Sequence, residues 1–167
     1  MISLSNVRRA IERHWWVAGP PLPTRTADAR FAAEHHAAWT ELWVQPAAAE
    51  VRRNAGLDRV AFEVVVHLFA DPQSPSGDAS SATTDGWLDA TRAAFERRTI
   101  AADGATLRLR ECRFKDLSRD AAADGLPTRH VVVLVDGIAD QAVEPVPPVS
   151  SDASSDSSSG SGNASSD

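Results

Sequence analysis

Residues with catalytic or ligating chemistry are few in this chain and widely spread: five histidines (14, 35, 36, 67 and 130) and one cysteine, Cys112. Glu34-His35-His36 is the densest run of metal-type ligands. Adjacent residues point about 100° apart on a helix and to opposite faces on a strand. Neither geometry brings both imidazoles onto one ion, and no His-Glu-x-x-His pattern or second cluster at ligand spacing accompanies them. The run reads as two semi-exposed histidines on a connecting segment. His67 falls in mid-strand and His130 at a strand start, each read as a packed or edge histidine rather than a general base. A triad would need a nucleophile and partners that only the fold brings together. Cys112 lies near Arg110 and Arg113. Nearby positive charge lowers a thiol's pKa, but the expected role is a small buried hydrophobe. A single cysteine excludes an intramolecular disulfide and a multi-cysteine zinc site. No glycine-containing stretch forms a phosphate loop or a dinucleotide fingerprint. No catalytic residue, cofactor or metal-ligand set is therefore expected, and the chain does not read as an enzyme.

Other elements must then carry the function. Leu4, Val7, Ile11 and His14/Trp15 recur at steps of three and four, predicting a helix over 4–16. Ser3 or Ser5 can cap it, and Gly19-Pro20 ends it. On that helix Trp15 and Trp16 cannot both face one seam, and an exposed tryptophan is enriched at interfaces. The alternative packs both indoles against the Trp39/Trp43 side of the sheet. Residues 38–45 read as a strand, with Leu42 and Val44 on one face and Trp39 and Trp43 on the other. Residues 59–70 form the strongest strand. Val60, Phe62, Val64, Val66 and Leu68 make one apolar face, while Glu63, Val65, His67 and Phe69 lie on a mixed one. Both faces are thus expected to be at least partly covered, as in a central strand, and the doubly apolar character points to burial by another subunit. A helix over 82–98 places Arg97 and Arg98 in its last turn, where positive charge complements the dipole. Strands follow over 105–113 and 129–138, the last closed by Asp136-Gly137. The expected fold is α+β, a four-stranded mixed or antiparallel sheet with two main helices in the order α-β-β-α-β-β.

The chain has 167 residues, 43% of them hydrophobic, which fits one domain with a real core. The expected domain is 1–141. Residues 142–167, rich in Pro, Ser and Asp, lack the apolar content to offset ordering entropy and read as a disordered tail. The tail holds Glu144, Asp152, Asp156 and Asp167 and no base, so −6 less the tail's −4 leaves −2 for the body. A general nucleic-acid binder would carry a basic surplus instead. No apolar run approaches the roughly 18 residues of a membrane span. The first residues lack a signal-type apolar stretch, and the single cysteine suits a reducing, cytoplasmic setting. Asp71 to Thr84 reads as an excursion between ordered elements, and Arg52-Arg53 as part of the connection between the first two strands.

The order of these elements resembles the tail-terminator (tail-completion) proteins of long-tailed bacteriophages and phage-like particles. The resemblance covers roughly residues 1–140 and rests on a few features. They are a short N-terminal helix, the strand Trp39 to Pro46, Arg52 to Gly56 leading into Val60 to Ala70, a Pro/Gly/Ser loop, and a helix ending Phe95 to Arg98. The Pro-containing segment Gly19 to Thr26 and the Ser/Asp tail depart from the family pattern.

The resemblance implies a structural virion protein that is assembled in the host cytoplasm and sits at the head-proximal end of a tail. Such proteins form a ring, typically a hexamer, that caps the tail tube, stops its polymerisation and offers a docking surface to the head. Expected partners are further copies of the chain, the tail-tube protein and the head-tail connector or neck proteins. DNA would pass through the lumen without sequence-specific binding, and no membrane is involved. A head-to-tail ring needs a heterologous interface whose rotation closes. Candidate subunit contacts are Trp15, Trp16, Glu63, Val65, His67 and Phe69. Candidate tube or neck contacts are Arg52, Arg53, Asp78 and Asp85, in the loops 46–58 and 71–84 and beside them. One alternative is another neck protein, an adaptor or stopper. A second is a small hydrolase or ligand-binding α+β domain, which would require a pocket with convergent polar groups.

Overall fold

A computed structural model describes residues 2–27, 29–33, 36–47, 52–54, 57–71, 81–118 and 129–142. Among them are two helices and seven strands: α1 (Leu4–Ala18), β1 (Thr24–Arg25), β2 (Ala38–Pro46), β3 (Arg52–Asn54), β4 (Leu57–Ala70), α2 (Ser81–Phe95), β5 (Thr99–Ala102), β6 (Ala105–Asp116) and β7 (Arg129–Ala142). Six strands lie side by side as β1-β2-β4-β7-β6-β5, and β3 pairs with the start of β4. Only β1–β2 is parallel. This corrects the expected four-stranded sheet in the order α-β-β-α-β-β. The three added strands have two to four residues each, too few to show an alternation.

The sheet curls. With strands about 4.8 Å apart, four spacings would put β2 and β5 about 19 Å from each other in a flat sheet. Yet α1 packs against both, and a helix is only about 10–12 Å across. The sheet therefore wraps around α1, and the helices fill its concave side. There Val7, Ile11, Trp15 and Phe95 meet Leu42, Phe62, Val64, Val66, Leu107, Val133 and Val135, all 2% exposed or less.

Two features accommodate the curl. The strand expected to close at Asp136-Gly137 runs on to Ala142. Gly137 lies directly opposite Phe62, whose ring covers it. A Cβ on Gly137 would come within 2.4 Å of that ring, so glycine is needed for close approach rather than for a turn. Beside it, the pairing of β6 with β7 shifts register between Leu109 and Cys112, an irregularity of the kind that bends a strand and increases local twist.

The ends of α1 fall where expected, at Ser3 and Gly19, whereas the end of α2 does not. Ser3 caps α1, its Oγ accepting the Asn6 N–H at 3.2 Å. Helix α2 stops at Phe95, so Arg97 and Arg98 lie beyond its last turn. Arg97 has φ 53°, and its N–H donates to the Arg110 carbonyl at 3.0 Å, which turns the chain out of the helix toward β6. Asp103 (φ 38°) and Gly104 (φ 80°) then make the two-residue turn joining β5 to β6. The tail from residue 143 onward falls outside the described residues, and Ala142 belongs to β7.

Gly137→Ala is expected to destabilise the fold by about 1–3 kcal/mol through overpacking against Phe62. Adding Phe62→Leu should recover part of that loss in denaturant titrations of the double variant. Additive losses would show that the ring contact is not the cause.

Candidate functional site

Both helices lie on the concave side, so the convex face of the sheet has no helix over it among the described residues. Its side chains come in rows across β2, β4, β7 and β6. Trp39, Phe69 and His130 form one row, and Glu41, His67, Val132 and Lys115 the next. Trp43, Val65, Leu134 and Arg113 follow, then Gln45, Glu63 and Asp136. The face grades from aromatic at one end to charged at the other.

The aromatic end is a continuous stack. Trp39 lies 4.9 Å from Phe69, and Phe69 lies 4.4 Å from His130, ring centre to ring centre. His67 Nδ1 and His130 Nε2 are 3.0 Å apart, so one ring N–H donates to the other ring's nitrogen. Burial lowers the pKa of both imidazoles, and His67 lowers that of His130 further; Glu41 opposes the shift in both, and Asp116 does so in His130. The indole N–H of Trp39 is buried without an acceptor, which costs about 1–3 kcal/mol.

The middle of the face is an open depression of about 370 Å3, with Trp43, Val65, Val132 and Leu134 around it and His67 and Lys115 at its sides. At the charged end, Arg113 donates to Glu63 at 3.2 Å and to Asp136 at 3.1 Å, while Gln45 donates to Glu63 at 2.8 Å. Farther along, Asp140 accepts from Arg59 at 2.6 Å and also from Arg108. These two arginines hold its carboxyl below the usual range, with the Arg59 hydrogen bond the main cause.

A second apolar surface lies on the other side of the molecule. Trp15 is 2% exposed, whereas Trp16 is 61% and Val17 86% exposed. Neither indole joins Trp39 and Trp43, which occupy the opposite face of the sheet. Arg9 and Arg13 share the exposed side of α1 with Trp16, at helical spacing.

Of the expected contact residues, Glu63, Val65, His67 and Phe69 therefore share the convex face, Trp16 is exposed on α1, and Trp15 is in the core. Asp85 is exposed and pairs with Arg129 at 2.7 Å. Arg52 and Arg53 lie on β3, with their side chains outside the described residues, as are Glu34, His35 and Asp78. His36 stacks on Phe31, their ring centres 5.1 Å apart. Sequence reasoning did not pick out Val132 and Leu134, although their alternation with Val131, Val133 and Val135 marks them as the second face of β7. Nor did it pair His67 with His130, because they are 63 residues apart and only the strand register joins them. The arginines near Cys112 do not activate it. Burial is the main cause that pushes its thiol up to about 11, Glu96 adds to this, and Arg92 opposes it. Arg113 instead serves the acids of the convex face.

No protein-family model matches this chain, and no curated protein matches it. Among solved structures, a protein carrying only a serial name with no function in it is similar. It is 23% identical, with a TM-score of 0.49, and the match covers 84% of this chain and 97% of that one. A likeness at that level carries no argument about function.

Two outcomes follow from the titrating groups. The unfolded chain holds histidine protons below about pH 6.5, and the folded chain releases them because both imidazole pKa values are lowered. The unfolded state therefore binds more protons as pH falls. The histidine contribution should be complete above about pH 6.5 and lost as pH drops through the folded values. Urea titrations across pH should show this slope, and it should shrink in His67→Gln and in His130→Gln. Cys112 should react more slowly with a thiol reagent at pH 8 in the folded chain than once unfolded; equal rates would contradict its half-buried placement against the core.

Proposed function

We propose that this chain is a structural, self-assembling ring subunit, a tail terminator that caps a tail tube and offers a docking surface for the head. The observation that carries the self-assembly part is a pair of unlike apolar surfaces on opposite sides of one chain. One is the exposed Trp16-Val17 end of α1. The other is the depression on the helix-free face, where the half-buried Trp43 and Leu134 flank the buried Val65 and Val132. A head-to-tail interface uses two different patches per subunit, and it closes into a ring when its rotation does.

Magnitudes favour closure over an isolated contact. Burying two large apolar side chains supplies about 3–6 kcal/mol. Association costs about 4–15 kcal/mol in lost freedom. One anchored contact is thus marginal. In a closed ring each subunit makes two contacts while joining one assembly, so the last contact is intramolecular. The tail-tube assignment rests on the sequence resemblance alone and not on the strand order, which the structure corrects, and an adaptor or stopper ring would use the same two surfaces.

Light scattering across concentration, with negative-stain images of the largest species, tests this reading. Wild-type chain should form closed rings, alone or on the ends of isolated tail tubes. Trp16→Glu and Leu134→Glu, each checked for folding by circular dichroism, should each fail to form rings. Mixed in equal amounts, they should form at most weak pairs through the one intact surface on each, and nothing larger. A wild-type monomer at high concentration that ignores tube ends would overturn the proposal. So would a two-fold dimer that Trp16→Glu leaves intact.

A further inference from the structure

We propose that His67 and His130 form a binding site on the convex face for one divalent transition metal ion of the imidazole-preferring class, Zn2+ foremost. Geometry carries this. His67 Nδ1 and His130 Nε2 point at one another across 3.0 Å, from neighbouring strands whose register fixes both backbones. Two imidazole nitrogens bound at 2.0–2.1 Å to a tetrahedral zinc lie about 3.3 Å apart. Exchanging that hydrogen bond for an ion therefore takes a separation of a few tenths of an ångström and a turn of each ring by about 35°, because the ion lies off the line that joins the two nitrogens.

The surroundings suit such an ion. Phe69 stacks on both rings, at 6.0 Å from His67 and 4.4 Å from His130 between centres, which restrains their orientation. Both imidazoles are held toward the neutral form, and neutral imidazole is the form that ligates. Glu41 stands opposite His67 on β2, and its negative charge acts on both rings. Arg25 and the Trp43 indole already donate to its two oxygens, so Glu41 contributes field rather than a free ligand. Among the described residues, no third His, Cys, Asp or Glu joins the pair to make a group of three. The two remaining positions of a four-coordinate ion are left to water. Nickel and copper share the preference for imidazole. The inference does not depend on ring formation.

The test uses full-length chain purified without a histidine tag and stripped with a chelator. Zn2+ is titrated in by calorimetry, and the imidazole nitrogens of the wild-type chain are followed by 15N NMR. The expected result is uptake of one ion per chain with shifts at His67 Nδ1 and His130 Nε2. His67→Gln and His130→Gln should each weaken uptake by about tenfold or more. No uptake, or uptake whose shifts fall on His14, His35 or His36 instead, would overturn the proposal. The wild-type spectra decide between these outcomes even where a variant fails to fold.

Discussion

The Trp15 indole ties the architecture together. Its ring stacks on Phe95 of α2 at 5.5 Å between centres. Its N–H donates to Thr24 Oγ at 3.0 Å, and Thr24 Oγ meets Thr40 Oγ of β2 at 2.7 Å. One buried side chain thereby joins both helices, the short β1 and the sheet. His14 adds a second tie, its Nε2–H donating to the Ala94 carbonyl at 2.8 Å. These bonds hold α1 inside the curl, and α1's position determines which face of the sheet is covered.

The asymmetry between the faces follows. Two helices of 15 residues each are committed to the concave side. The convex side then has to satisfy itself through cross-strand pairs, which contribute only about 0.2–1 kcal/mol each. It does so with stacked aromatics at one end and shared arginines at the other, and it leaves an apolar depression between them. Turning Trp15 inward on α1 also turns Trp16 outward. The two unlike surfaces invoked for assembly are thus consequences of one packing decision.

How much of this the sequence discloses depends on the range of each interaction. The alternation in β2, β4 and β7 marks their two faces, and Leu42 and Val44 do lie opposite Trp39 and Trp43. The spacing of Val7, Ile11 and Trp15 likewise marks the buried side of α1. The short strands β1 and β3 carry no periodic signal, because their existence depends on neighbours. Strand β5 is also short, but Asp103-Gly104 ahead of the β6 alternation is a legible hairpin-turn signal. Gly137 looked like a strand end because its true partner, Phe62, is remote in sequence. The same remoteness hid the His67–His130 pair. The end of α2 depends on the left-handed Arg97 and its bond to Arg110, which no local propensity marks.

The central claim is that the helix-free face and the exposed end of α1 are mating surfaces. Hydroxyl-radical footprinting of the wild-type chain at low and high concentration measures this at the side chains themselves. The account predicts that oxidation of Trp16 and Trp43 falls together as concentration rises, while buried Trp15 stays protected throughout. Unchanged oxidation of Trp16 and Trp43 in a sample shown to have assembled would contradict it.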